Sequence, residues 1–192
     1  MLDPTELVRA IAAEFGLEVG HEDRLSALAR LNQFLLDVAG RNQDAVLIID
    51  EAQDLTDELL EQVRLLSNLE TDDRKLLQIV LIGQPELRDR LNAHRLRQLR
   101  QRITVRYHLR ALNRTEVTHY VQHRLSISGA ASGPYFTTAA LWRVYRYAKG
   151  IPRLINAVCD KCLLAGFVRQ RHQIDFGMVG LAIRELEGKG AA

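Results

Sequence analysis

Cysteine is scarce: the 192 residues hold two, both within the short stretch "NAVCDKC". So small a supply excludes a disulfide-stapled scaffold and fits a reducing compartment. No apolar run approaches the eighteen residues that a membrane helix needs. The start, "MLDPTELVRA", lacks the basic-then-apolar order of a signal peptide, so a soluble, cytoplasmic chain is expected. Charge of one sign is also lacking, with 26 Lys+Arg against 24 Asp+Glu and a formal net charge of +2. By net charge alone, nucleic acid is not the expected partner. Six histidines show no metal-ligand spacing. His119 and His123 stand at i and i+4 but have no third ligand in view.

Apolar periodicity is plentiful. Asp3, Pro4 and Glu6 form a helix start, with Leu7, Ile11 and Phe15 on one face until Gly16. A second helix is predicted from His21 to Val38 and stops at Gly40. "AVLII", residues 45–49, reads as a strand buried on both faces of a parallel sheet. Thr56 caps the next helix, and "LLQIVLIG" is a second buried strand that ends at Gly83-Gln84-Pro85. "ITVRYHL", with its period-two alternation, is a third candidate strand. From Asn113 onward the pattern is helical only. The expected architecture is α/β over 1–112 and an all-helical domain over 113–192. Cys159 and Cys162 fall in a helical pattern, where their spacing puts both thiols on one face, and buried packing is the expected role.

Two features point to a ligand. Asp50 and Glu51 close the run "AVLIIDEAQDL" at the carboxyl end of a strand, where open parallel sheets bind ligands. Carboxylates there are paired, hydrogen-bonded or bound to a metal. One reading has them capping the turn into the next helix. The other has Asp50 orienting magnesium and its waters while Glu51 polarises the water that attacks a terminal phosphate, with Gln84 holding that water from the adjacent strand. The second feature is an arginine-rich stretch: nine arginines lie between Arg88 and Arg114, and no acid between Asp89 and Glu116. It forms a local positive surface. Arg88, Arg90, Arg95 and Arg97 within it are expected to be solvated surface residues.

The strings "DEAQ", "LLSNLE", "IGQPELR", "QRI..RY.L" and "GIPRLIN", in this order, resemble the ATPase domain of the general secretion pathway protein A family. That family belongs to the AAA+ ATPases and is related to transposition ATPases. The resemblance covers essentially the whole chain. It implies a partial P-loop NTPase sheet flanked by helices and followed by a helical lid. It further implies ATP and Mg2+ as cofactors, a homo-oligomer, and an envelope partner in a secretion or pilus-type system. By resemblance Asp50 and Glu51 are the Walker B pair and Gln84 the first sensor. Arg102 is the arginine finger that reaches a neighbour's nucleotide, with Arg100 as the fallback, and Arg153 of "GIPR" is the second sensor.

One departure stands beside the match. No G-x-x-x-x-G-K-[ST] occurs in the sequence, and its only Gly-Lys is Gly188-Lys189. "LDPTELVRAI" resembles the stretch just after the family's second strand. The family's first strand, P-loop, following helix and second strand are therefore expected to be missing, as in a truncated form, and ATP binding by this chain to be weak or absent. The membrane segment that anchors full-length members to the inner membrane is not in this sequence either. A DNA-binding regulator of transposition, motivated by the arginine stretch, and a catalytically dead interaction domain are the alternative functions.

Overall fold

The computed structural model describes residues 2–21, 23–129 and 133–189. They form two compact units, Met1–Arg106 and Tyr107–Ala192.

Unit 1 opens with α1 (Pro4–Glu14) and α2 (Arg24–Gly40). Asp3 caps α1 by accepting from the backbone N–H groups of Thr5 and Glu6, and Glu6 reaches back to complete the capping box. Asp23 does the same for α2 through Ser26 N–H, one residue before the helix and two after the expected start. β1 (Ala45–Ile49) follows, then a short 3-10 turn (Ala52–Asp54) and α3 (Asp57–Leu66), whose N-cap is Thr56. β2 (Leu77–Leu81) pairs in parallel with β1, Leu47 opposite Ile79. α4 (Pro85–Leu91) and α5 (Arg97–Arg102) complete the unit.

Alternation decides which face of this two-stranded sheet is covered. Ala45, Leu47 and Leu77 are buried in one core with Leu7, Ile11, Leu31, Leu35, Val63 and Leu66 from the three helices. A second core beyond the strand ends gathers Ala52, Leu60, Leu87, Leu91, Leu96 and Leu99. The opposite sheet face carries Val46, Ile48, Val80 and Ile82, all exposed. The expectation of strands buried on both faces is therefore corrected. An all-apolar run is compatible with two covered faces, but among the described residues only one face is covered.

The third expected strand is also corrected. Residues 103–112 have no strand pairing, and Val105, Tyr107 and Leu109 are 80%, 86% and 81% exposed. Their alternation suits a pleat, but alternation supplies no partner, and among the described residues β1 and β2 pair only with each other.

Unit 2 contains α6 (Arg114–Ile127), α7 (Thr138–Ala148), α8 (Pro152–Val168) and α9 (Phe176–Leu186). It is helical except for a two-residue parallel pair, β3 (Tyr135–Phe136) with β4 (Gln173–Ile174). Val117, Val121, Leu141, Val144, Ile155, Val158, Cys162, Ile174 and Val179 form its core. Asn113 and Glu116 make the capping box of α6, and Arg110 holds Glu116 with two hydrogen bonds of 3.0 and 2.6 Å.

Two predictions arise here. The Arg110 guanidinium holds the Glu116 carboxyl below its ordinary 4.5, and backbone N–H donors from Glu6 and Ser26 hold Asp3 and Asp23 below their ordinary 3.8. A depressed carboxyl contributes stability above its unfolded value and loses it as pH falls through the folded one. Helix content followed by circular dichroism is expected to hold down to about pH 4.5 and to fall below it; loss beginning near pH 6 would contradict this. The thiols behave oppositely. Burial pushes Cys159 and Cys162 each up to about 12, with Cys162 and Asp160 adding to the effect on Cys159. Both are expected to alkylate slowly at about pH 8 in the native chain and rapidly in denaturant, as counted by mass spectrometry.

Candidate functional site

The ladder between β1 and β2 continues past the strands. Ile82 N–H donates to Ile49 O and Ala52 N–H to Ile82 O, each at 2.9 Å. These bonds bring the residues after the two strands side by side, so Asp50 and Glu51 stand next to Gly83 and Gln84. Gln53, on the 3-10 turn, ties the two ends together. Its Nε2 donates to Glu51 Oε2 at 2.8 Å, and its Oε1 accepts from Gln84 N–H at 3.0 Å. Gln84 Nε2 reaches the same Glu51 oxygen at 3.4 Å. A Cβ at Gly83 would lie 2.8 Å from Gln53 Oε1 and 2.9 Å from Leu87 Cδ2, so a side chain there would push aside the amide that ties the two strand ends.

Glu51 pays a conformational penalty to be there. Its φ of 50° and ψ of 38° are left-handed, a region that costs a residue with a side chain roughly 1–2 kcal/mol. Strain of this kind gathers at functional sites. Asp50 Oδ1 accepts from the Glu51 N–H at 2.8 Å, which leaves its other oxygen available. Asp50, Glu51 and Gln84 are all exposed, so nothing in unit 1 buries the two carboxylates. Thr56 caps α3 itself, while Asp50 and Glu51 make their contacts within the turn that leads to it, as the capping reading expects.

Sequence reasoning missed two residues. Gln53 was visible only as part of "DEAQ", and its bridging depends on the 3-10 turn that folds it back. Arg90 was expected to be a solvated surface residue. Instead its guanidinium donates to Gln53 O at 2.6 Å, Leu55 O at 2.7 Å and Asp57 Oδ1 at 2.6 Å, clamping the turn that follows Glu51. Arg95 also pairs with Asp57, and Arg88 with Asp89 at 3.4 Å. The arginine stretch is thus partly neutralised from within. Arg97, Arg100, Arg102, Arg106 and Arg114 make no ion pair among the described residues.

Arg102 ends α5 and is exposed, while Arg100 donates to Asn92 O at 3.4 Å. Among the described residues no hydrogen bond or ion pair joins either of them to Asp50, Glu51 or Gln84. Arg153 lies in the first turn of α8 in unit 2 and is exposed.

The donor set can be tested against ATP and Mg2+. No cluster of three or more metal-ligating side chains occurs among the described residues, so a bare ion is not caged by protein. Magnesium does not require a cage. It keeps several waters and takes one or two carboxylates plus substrate phosphates, and Asp50 with Glu51 fits that demand. The phosphates fare differently. A cradle needs free backbone N–H groups, and the Gln84 N–H beside the site is already taken by Gln53. Asp50 and Glu51 therefore fit the metal-and-water side of such a site, while the sequence holds no G-x-x-x-x-G-K-[ST] to cradle the phosphates.

Comparisons with known proteins bear on the family and the fold. The AAA domain family matches residues 1–91. General secretion pathway protein A of Aeromonas hydrophila is 46% identical over 188 residues, covering 97% of this chain and 34% of that protein. The chain belongs to the AAA+ ATPases, in the general secretion pathway protein A family. It spans about a third of the length of that relative. Among solved structures, the Aeropyrum pernix ORC2 protein in ADPNP–ADP complexes superposes with a TM-score of 0.66 at 15% identity, covering 95% of this chain and 50% of that one. The Thermotoga maritima RuvB Holliday junction branch migration motor gives 0.60 at 16% identity, covering 98% and 60%. At such identities these two likenesses establish the fold of this AAA+ chain, a partial P-loop NTPase sheet with a helical second unit, and nothing finer.

Proposed function

We propose that this AAA+ chain supplies the hydrolytic side of an ATP site, in a module that drives assembly of a secretion or pilus-type envelope system. The observation that carries the reading is the Glu51–Gln53–Gln84 cluster, with Asp50 beside it, at the carboxyl ends of two adjacent parallel strands. ATP and Mg2+, when bound, supply a terminal phosphoryl group with its charge partly neutralised. Asp50 would hold the metal through its water, Glu51 would accept the proton of an attacking water, and Gln84 would hold that water from the neighbouring strand. Gln53 fixes the Glu51 carboxylate, and Arg90 fixes the turn that carries Gln53.

Arg102 is assigned to a neighbouring subunit's nucleotide, with Arg100 as the fallback, because a permanently charged planar fork suits phosphate oxygens. Arg153 is assigned to the terminal phosphate from the helical unit. These roles imply a homo-oligomer, and the relative's name supports the secretion setting. The competing DNA-binding reading keeps Arg97, Arg100, Arg102, Arg106 and Arg114, which make no ion pair among the described residues, for binding by counterion release.

Calorimetric titration with ATP–Mg2+ tests the proposal. The 192-residue chain is expected to show no micromolar affinity, and micromolar binding would contradict the missing cradle. Joined behind a segment that carries G-x-x-x-x-G-K-[ST], the same residues are expected to bind and hydrolyse ATP. Failure of the joined protein to do either would contradict the ATP reading itself.

A further inference from the structure

The small net charge hides a strong division. Residues 1–106 carry nineteen Asp+Glu against fourteen Lys+Arg, whereas residues 107–192 carry twelve Lys+Arg against five Asp+Glu. Unit 2 is therefore a basic body in a nearly neutral chain, and such a body draws anionic partners. Its acids are mostly taken. Glu116 pairs with Arg110, Glu185 with Lys161 and Glu187 with Lys189. Asp175 caps α9 by accepting from Met178 N–H at 2.8 Å and stands 3.8 Å from Arg171. Only Asp160, two turns before the end of α8, makes no ion pair among the described residues.

One end of this unit gathers exposed apolar side chains among arginines. Tyr135 N–H donates to His172 O at 2.9 Å and Thr137 N–H to Ile174 O at 3.0 Å. The start of α7, the end of α8 and the start of α9 therefore meet there. The last turns of α8 leave Leu164, Phe167 and Val168 exposed, Phe167 by 82% and Val168 by 72%. Spaced i, i+3 and i+4, they share one helix face, opposite the buried Cys159, Cys162 and Gly166. Tyr135 is 55% exposed at the same end. Arg169 follows Val168 directly and, like Arg143, makes no ion pair among the described residues. Arg143 lies over the Phe176 ring at 4.2 Å and donates to Phe176 O at 3.0 Å.

A nucleic acid would account for the arginines but not for the apolar face, since phosphate and sugar offer nothing to Phe167 or Val168. Nor is the aromatic pair open to bases. Trp142 and Phe176 stack on each other at 6.2 Å, and Arg146 lies over Trp142 as Arg143 does over Phe176. An anionic bilayer surface matches both features: apolar side chains enter the headgroup–acyl boundary while flanking arginines reach lipid phosphates. We propose that this end of the helical unit docks on an anionic phospholipid surface. Phe167 and Val168 enter it, Tyr135 lies at headgroup level, and Arg143, Arg169 and Arg171 meet lipid phosphates. Arg153, in the first turn of α8, stands roughly 20 Å away along that helix, so the contact is separate from the ATPase reading.

Flotation with lipid vesicles tests it on the whole chain. Vesicles of phosphatidylcholine with about one-third phosphatidylglycerol are expected to capture the protein, and phosphatidylcholine alone to leave it in solution. Capture is expected to weaken as salt shortens the Debye length from about 10 Å at 0.1 M to about 3 Å at 1 M. Phe167→Ser and Arg169→Glu are each expected to weaken the partition by roughly tenfold. Phe167→Trp is expected to preserve it and to shift its emission to the blue on anionic vesicles. Arg41→Glu, the same charge reversal in unit 1, is expected to leave capture unchanged. No capture by anionic vesicles, equal capture by phosphatidylcholine alone, or an equal loss from Arg41→Glu would each overturn the proposal. So would capture that neither Phe167→Ser nor Arg169→Glu weakens. Retention on DNA without capture by vesicles would also overturn it, since the partner of this basic end would then be nucleic acid. Circular dichroism checks the fold of every variant, and Val168→Asp replaces Phe167→Ser if that variant unfolds.

Discussion

Gly150→Ala is expected to destabilise the helical unit by on the order of 3–5 kcal/mol, among the largest effects of any single methyl group in this chain. Gly150 has a φ of +80°, and a Cβ built on it would lie 1.9 Å from Leu112 O and 2.7 Å from Leu112 N. Both contacts are with backbone, so no side chain can turn aside. The same residues are joined by Leu112 N–H donating to Gly150 O at 2.9 Å, and Leu112 packs against the core of unit 2. The added methyl group must therefore move the strap that precedes α6 or the turn that starts α8. Left-handed backbone adds its own penalty of roughly 1 kcal/mol. Trp142 is the chain's one tryptophan and sits on α7, so its fluorescence reports on this unit alone. The melting midpoint read at Trp142 is expected to fall by roughly 12 °C or more. An unchanged midpoint would contradict the close approach of Gly150 to Leu112.

Glu51→Gln is the second large effect. The amide is nearly the same shape as the carboxylate and can still hydrogen-bond with Gln53 and Gln84, but it no longer accepts a proton at neutral pH. In a protein that joins a phosphate-binding loop to this segment, turnover is expected to fall by about 10²- to 10⁴-fold, the usual contribution of a positioned general base. ATP affinity is expected to change little, since Glu51 acts on water and not on the nucleotide. Steady-state hydrolysis and direct nucleotide titration separate the two quantities. Lost affinity with turnover per bound ATP intact would place Glu51 in binding and remove it from the chemistry.

Local signals in the sequence were easy to read, and signals that depend on neighbours were not. Asp3 with Glu6, Thr56, and Asn113 with Glu116 cap their own helices through atoms two or three residues away, so the string alone is enough. The placing of Asp50, Glu51 and Gln84 at strand ends was legible for the same reason: apolar runs end where those residues begin. What lay beyond reach was pairing. "ITVRYHL" alternates as a strand should, yet alternation says nothing of whether a partner is present, and residues 103–112 are unpaired. In "AVLII" every residue is apolar, so the sequence held no sign that Val46 and Ile48 would stay exposed while Ala45 and Leu47 were covered. Gln53 and Arg90 owe their positions to a 3-10 turn and to a carboxylate 33 residues from Arg90, neither of which any periodicity encodes.

The central claim is that Asp50, Glu51 and Gln84 form one surface that meets a metal–nucleotide. Paramagnetic broadening of backbone amide signals by manganese–ATP tests it most directly, because the effect registers even very weak binding. The account predicts that signals of residues 50–53 and 83–84 broaden first and together. Uniform broadening, or a first response elsewhere in the chain, would contradict it.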